Sequence, residues 1–183
     1  MEKQTIAGLD NVQISNLSEN EWQSFYSQNR DLIWKKDNFD FKQRVEMLKD
    51  LKEFIEQTGM VAYFANGVLL GARRGGDFIE WDDDMDFDII DSEFYKHCLS
   101  LKEYFCEKGY IVYLNRESGK AKLNVYKGLE KLSFDTLFSL NEDQYFRYDM
   151  KWPKRFYNDN KKIKFKGLEF LCPSPIDEYL EPV

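Results

Sequence analysis

The run Trp81-Asp82-Asp83-Asp84-Met85-Asp86-Phe87-Asp88-Ile89-Ile90 constrains the fold more than any other stretch, because it sets a file of acidic side chains into an otherwise apolar, strand-like segment. Side chains alternate across a strand with period two. Asp82, Asp84, Asp86 and Asp88 are therefore expected on one face, and Met85, Phe87 and Ile89 on the other as a core-facing set. Carboxylates crowded on one face repel one another. A cation is the natural way to stabilise them, and hard oxygen ligands suit magnesium, manganese or calcium.

Such a strand needs a core, and 183 residues with 43% apolar and 16% aromatic content can supply one in a single domain. Lys and Arg total 26 against 33 Asp and Glu, a formal charge of −7, which disfavours nonspecific binding to nucleic acid. Cys98, Cys106 and Cys172 are odd in number and lack metal-ligand spacing, so they read as reduced thiols of a cytosolic protein. No apolar run approaches the ~18 residues of a membrane span, and Met1-Glu2-Lys3-Gln4 does not open a signal peptide. The expected location is cytoplasmic, and a membrane-linked substrate would have to be met at the inner face of the membrane.

Residues 1–16 carry little periodicity and read as an arm. Ser18 with Glu21 resembles a capping box for a first helix bearing Trp22, Phe25, Tyr26, Leu32 and Ile33. Residues 1–39 are thus read as an N-terminal arm and helix, and 40–183 as the catalytic region. Phe41, Val45, Leu48, Leu51 and Ile55 recur at steps of three and four, which predicts an amphipathic helix over 40–57 closed by Gly59. Met60 to Ala65 is a short apolar strand, and Asn66-Gly67 turns it into a short buried helix, 68–72. A loop, Arg73 to Asp77, precedes the acidic strand. A further helix starts at Asp91-Ser92 and runs to Gly109, followed by strands over 110–115, 120–126 and 131–138. The tail carries the basic run Lys161 to Lys166, which reads as a solvated edge strand with anionic lipid or glycan contact as the alternative, and then a strand, 168–171. The fold class is α+β, a mixed sheet flanked by helices.

A glycine turn from strand to helix, an acidic strand, and later a lone acid in an apolar strand form a phosphate-and-metal arrangement. N–H groups at the helix start near Gly67 can face an anion, and the carboxylates can hold the cation that neutralises it. The lone acid is Asp135, between Phe134 and Thr136-Leu137. Beside Asp84 and Asp86 it would complete a set of three carboxylates suited to displacement at phosphorus. A calcium loop starting at Asp82 fails at its sixth position, where Phe87 replaces glycine, and lacks the preceding helix. His97 has no cysteine or carboxylate constellation and reads as structural or exposed.

Gly67-Val68-Leu69-Leu70-Gly71-Ala72, Arg74, Phe78-Ile79 and Trp81-Asp82-Asp83-Asp84-Met85-Asp86 resemble the signature of the LicD family, whose usual form is close to GTLLGA, R, FI and PWDDDID. Phe134-Asp135-Thr136-Leu137-Phe138 resembles that family's IDIFP-like strand, and Phe165-Lys166-Gly167, Pro173 and Tyr179-Leu180 extend the likeness, so that it spans roughly residues 40–181. The resemblance implies a nucleotidyltransferase-like fold related to fukutin-like proteins. It also implies transfer of phosphocholine or a related phosphoalkanol from a CDP-activated, CDP-choline-like donor to a glycan or glycolipid hydroxyl. Carried over by position, Asp84, Asp86 and Asp135 match the metal-binding carboxylates for Mg2+ or Mn2+. Gly67 matches the phosphate-facing glycine, with Val68 after it. Arg74 matches the family arginine, assigned to donor phosphate or to anchoring the acidic loop. Lys122 is a further candidate for donor phosphate, and Trp81, Tyr63 and Tyr113 are candidates for an aromatic cage around a quaternary ammonium. Val68 stands where Ser or Thr is usual, Glu80 where Pro is usual, and the chain stops at Val183, where the family usually continues. Two alternatives stay open: nucleotidyl transfer to a small molecule, protein or RNA, and a noncatalytic binding domain of the same fold.

Overall fold

The computed structural model describes residues 5, 6, 9, 10, 18, 20, 21, 23–25, 27, 28, 39–117, 120–148 and 150–181. Where the sequence reads as an arm, Thr5–Ile6 (β1) and Leu9–Asp10 (β2) pair antiparallel. The capping box is formed: the Ser18 N–H donates to a Glu21 carboxylate oxygen at 2.9 Å, and the Glu21 N–H points back to Ser18 Oγ at 3.4 Å. Phe25 is buried, whereas Trp22, Tyr26, Leu32 and Ile33 lie outside the described residues.

The long helix α1 spans Phe41–Thr58. Asp40 accepts from the Gln43 N–H at 3.0 Å to start it, and Gly59, at φ 70°, ends it by donating to the Ile55 carbonyl. Its buried stripe is Arg44, Met47, Leu48, Leu51 and Phe54, with Phe41, Val45 and Ile55 on its flanks. The charged Arg44 at the centre of that stripe is the part the apolar periodicity conceals.

After Tyr63–Phe64 (β3), helix α2 runs Asn66–Arg74, longer than the expected short buried helix over 68–72 because Asn66 and Gly67 open it and Arg73 and Arg74 continue it. The acidic strand β4 is Met85–Ile90, so Trp81 to Asp84 precede it as irregular chain. Helix α3, Asp91–Glu107, follows at once, then β5 (Ile111–Glu117), β6 (Lys120–Lys127) and β7 (Glu130–Ser139). Unpredicted from the sequence is a hairpin, β8 (Gln144–Arg147) and β9 (Met150–Pro153), followed by a 3-10 turn, Lys154–Tyr157. Strands β10 (Lys162–Phe165) and β11 (Leu168–Leu171) and a short helix α4 (Ile176–Leu180) follow.

The main sheet has nine strands in the order β10-β11-β3-β4-β7-β6-β5, with β8 on the end of β7 and β9 on β8. It is mixed: β4 runs parallel to β7 and β11 to β3, while the other neighbours are antiparallel. The basic run is the edge strand β10, with Lys162 and Lys164 exposed, as expected for a protected edge. One face of the central strands is apolar: Met85, Phe87, Ile89, Leu123, Val125, Leu132 and Phe134 are buried in a core shared with α1 and α3. The opposite face is polar, and it carries the chemistry. Among the described residues no helix is long and apolar enough to cross a membrane.

Candidate active site

Strand register builds the polar face. Asp86 stands opposite Ser133 and Asp88 opposite Asp135 across the parallel pair β4–β7, while Lys122 stands opposite Asp135 and Asn124 opposite Ser133 on β6. Side chains two apart share a face, so β4 contributes Asp86 and Asp88, with Asp84 immediately before it, and β7 contributes Lys131, Ser133 and Asp135. Asp82 departs from the expected file. It lies in the irregular chain before β4, and its carboxylate lies against Gly67 at the start of α2, where a Cβ would come within 1.9 Å of Oδ2.

The five acids have different environments. Asp84 accepts from Ser133 Oγ at 2.9 Å and from Lys131 Nζ at 2.9 Å. Burial opposes its charge, but Lys131, then Lys122 and Ser133, hold its pKa below the ordinary value. Asp86 accepts from the Asn66 amide at 3.0 Å, yet burial, then the charges of Asp84 and Asp135, push its carboxyl well above the usual range. Asp82 is raised to about 7, by burial first and then by Asp84. Asp88 is wholly buried and structural: Arg147 forms an ion pair with it, and the hydroxyls of Tyr157 and Tyr179 donate to it at 2.7 and 2.8 Å. Asp135 accepts on one oxygen from Lys122 at 3.2 Å and from the Tyr148 hydroxyl at 2.5 Å.

Asp84, Asp86 and Asp135 thus share one sheet face within electrostatic reach, but each carboxylate keeps its own protein partner. Among the described residues, the oxygens that approach one another within 4.8 Å as a triple belong to Asp82, Asp83 and Asp84, with Lys131 also 3.4 Å from Asp83. Asp84 belongs to both arrangements.

Several assigned roles change. Arg74 is exposed at the end of α2, and it is the buried Arg44 that holds the acidic loop, donating to the Asp82 carbonyl at 2.9 Å while pairing with Glu130 at 2.5 Å. Arg73 forms a two-pronged bond to Asp177 of α4 at 2.9 and 3.1 Å. The Val68 side chain is packed in the core, so only its backbone can face a phosphate. Gly67 is required first by Asp82. Tyr63, Tyr113 and Trp81 do not form one cage. Tyr63 is buried with its hydroxyl on the Tyr157 carbonyl at 3.1 Å, and Tyr113 on β5 is separated from β3 by three strands, roughly 19 Å at the usual strand spacing. Trp81 is 71% exposed in the loop before β4. His97 is buried, with Nε2 3.5 Å from Glu93. Sequence reasoning missed Asn66, Lys131, Ser133, Arg147 and Tyr148. The alternation around Asp135 held a signal for Lys131 and Ser133; Arg147 and Tyr148 sit on a hairpin whose register local pattern does not set.

The family described as LicD/FKTN/FKRP, nucleotidyltransferase domain, matches residues 59–175. A relative, "Uncharacterized protein RP689" of Rickettsia prowazekii (strain Madrid E), is 27% identical over 139 residues, covering 70% of this chain and 49% of the relative. The chain therefore spans about half the length of the curated relative it matches. Among solved structures, ANT(2")-Ia in complex with adenylyl-2"-tobramycin is similar at a TM-score of 0.52 and 16% identity, over 72% of this chain and 70% of that one. The solution structure of ANT(2'')-Ia, an antibiotic-resistance factor, gives 0.54 and 15%, over 74% of this chain and 67% of that one. At this identity the likeness speaks for the fold alone, a nucleotidyltransferase fold.

Proposed function

Because this chain belongs to the LicD/FKTN/FKRP nucleotidyltransferase-domain family, we propose that it is a divalent-metal-dependent transferase moving phosphocholine or a related phosphoalkanol from a CDP-activated donor to a hydroxyl of a glycan or glycolipid. The observation that carries this reading is the crowding of Asp84, Asp86 and Asp135 on one largely buried sheet face, beside the N-terminal end of α2. Burial, then the charges of Asp84 and Asp135, oppose ionisation of Asp86, and a donor set of hard oxygens suits Mg2+ or Mn2+. Asp84 and Asp86, with Asp135 as third carboxylate, would hold such an ion, which supplies neutralising charge at the donor phosphates.

The chain's own residues do the rest. Asn66 fixes the orientation of Asp86, and Ser133 that of Asp84. Arg147, wedged between Asp88 and Asn66, ties the β8–β9 hairpin to the floor of the site. Asp135 would position the attacking hydroxyl or take its proton as that oxygen bonds to the phosphorus bearing the alkanol and CMP departs. Lys122 and the exposed Arg74 are the cationic side chains for donor phosphate. Work at the cytoplasmic face of a membrane, on a lipid-linked glycan, fits this reading.

Incubation with Mn2+ or Mg2+, CDP-choline and a glycan panel tests it. CMP release that depends on a glycan is the expected result. Pyrophosphate release from CTP in place of CMP release from CDP-choline would transfer the assignment to nucleotidyl transfer. Silence across a broad donor and acceptor panel would leave a noncatalytic binding domain.

A further inference from the structure

Tyr148 lies in the two-residue connection between β8 and β9, where Arg147 pairs with Met150. Its backbone is left-handed, at φ 55°, a conformation that glycine or asparagine usually supplies in such hairpins. A bulky side chain kept in that conformation is held by its surroundings. Two contacts identify them. Next to it, Arg147 is buried against Asp88 and donates to Asn66 Oδ1 at 3.1 Å, which seats the hairpin tip over the polar face. The Tyr148 hydroxyl then donates to Asp135 Oδ1 at 2.5 Å, the same oxygen that faces Lys122 at 3.2 Å.

The space left there is small. Ala121, Lys122, Asp135, Thr136, Arg147 and Tyr148 help line a cavity of about 10 Å3, at the lower limit for one water molecule, ~10–15 Å3. Asp135 is buried and its Oδ1 is taken by the Tyr148 hydroxyl, so a sugar hydroxyl gains that place when the ring moves. Tyr148 is itself 41% exposed, so outward rotation meets solvent and not core.

We propose that Tyr148 makes the site selective for an acceptor hydroxyl over water: its phenolic hydroxyl keeps the acceptor's place on Asp135 until an acceptor displaces it. The inference rests on the transfer reading above. In the suppressed side reaction, the oxygen of water bonds to the phosphorus bearing the alkanol, the bond from that phosphorus to the CMP oxygen breaks with its electron pair leaving on CMP, and the water proton passes to Asp135. With the ring seated, that oxygen of Asp135 is held by the phenol and Lys122. An acceptor large enough to push the ring aside gains it.

Two variants test this. Tyr148→Ala opens the position, and Tyr148→Phe keeps the ring but removes the hydroxyl. With Mn2+ and CDP-choline and no glycan, CMP release should rise ~10-fold or more in Tyr148→Ala and by a smaller factor in Tyr148→Phe, on the scale of what a positioned base contributes. With glycan present, the ratio of transfer to hydrolysis should fall in the same order. If hydrolysis stays at the wild-type level in both variants, or falls together with transfer, the selectivity role is overturned and the transfer reading stands. If wild type releases pyrophosphate from CTP and no CMP from CDP-choline, the transfer reading fails instead, and acceptor-independent CTP hydrolysis by the same variants decides the role of Tyr148. A second measurement needs no turnover. In 13C NMR of ring-labelled tyrosine, the resonance lost in Tyr148→Phe should move in Asp135→Asn; an unmoved resonance overturns the contact and with it the proposal.

Discussion

Gly67 and Asp82 touch across the start of helix α2: a Cβ on Gly67 would stand 1.9 Å from Asp82 Oδ2 and 2.5 Å from its Cγ. The Asp82 side chain is short, and its own carbonyl is held by Arg44 at 2.9 Å, so the carboxylate has little room to give way. Gly67→Ala should therefore shift the whole acidic loop, costing about 1–3 kcal/mol as overpacking does and lowering transfer at least ~10-fold. Adding Asp82→Ala to Gly67→Ala should recover most of the melting temperature without recovering activity. A double-mutant cycle by thermal melting checks this, and additive losses would separate the two residues.

The buried pair Arg44–Glu130 yields a prediction in which stability and activity part company. Arg44→Met alone leaves the carboxylate of Glu130 buried and uncompensated, which costs about 3–5 kcal/mol. Replacing both, Arg44→Met with Glu130→Leu, should restore stability to within about 1–2 kcal/mol of wild type, since well-packed apolar residues often substitute for a buried pair. Activity should stay low, because the Asp82 carbonyl has lost its donor. Urea denaturation paired with transfer assays reads both quantities.

Asp86 and Asp88 are two residues apart on one strand face and should respond oppositely to the same substitution. Asp88→Asn weakens the ion pair with Arg147 in a fully buried site and should cost about 3 kcal/mol or more. Asp86→Asn removes a charge that its surroundings oppose, so it should leave metal-free stability equal or higher while abolishing transfer. The pH dependence follows in sign. The folded pKa of Asp86 is raised, through burial and then Asp84 and Asp135, so its contribution is fully present below the unfolded value of about 4 and is lost as pH rises through the folded value. Metal-free wild type should lose more stability than Asp86→Asn does as pH rises above about 4, measured by denaturation at each pH.

Much of this was legible in the chain, for identifiable reasons. Period-two alternation placed Asp84, Asp86 and Met85, Phe87 on opposite faces because β4 is covered on one side by an apolar core. Asp135 stood out because a carboxylate in an apolar strand needs partners, and Lys122 and Tyr148 are two of them. Asp82 was misplaced, because alternation carries no mark of where a strand begins. Arg44 was hidden for the opposite reason: its helical position is right for the core, and only its long-range partner Glu130, 86 residues away, makes a charge tolerable there. Tyr148 and Arg147 were invisible because their hairpin reaches the site through long-range contacts of Arg147 with Asp88 and Asn66.

Asp84 stands in two groups of carboxylates, and metal binding can tell them apart. In one, Asp82, Asp83 and Asp84 are consecutive in an irregular loop, with oxygens within 4.8 Å of one another. In the other, Asp86 and Asp135 lie on the adjacent strands β4 and β7, with Asp84 immediately before β4. A loop cluster is partly open to water, and its repulsion is relieved by Lys131, which lies 3.4 Å from Asp83 and 2.9 Å from Asp84. Each cluster holds a raised carboxyl, Asp82 in the loop and Asp86 on the sheet, but Lys131 contacts two members of the loop cluster whereas Asp86 is held by the neutral Asn66 amide, so an ion on the sheet face offsets more repulsion. Mn2+ affinity, followed by electron paramagnetic resonance, should therefore fall at least ~30-fold, about 2 kcal/mol, in Asp86→Asn and stay within about threefold in Asp83→Asn. Mn2+ at 100 times its dissociation constant should raise wild-type stability by about 2.7 kcal/mol. The increment should vanish in Asp84→Asn, which both groups share, and persist in Asp83→Asn. The reverse ranking of Asp83→Asn and Asp86→Asn would place the ion in the loop, away from Asp135, and would remove the sheet face as the metal-binding half of the site.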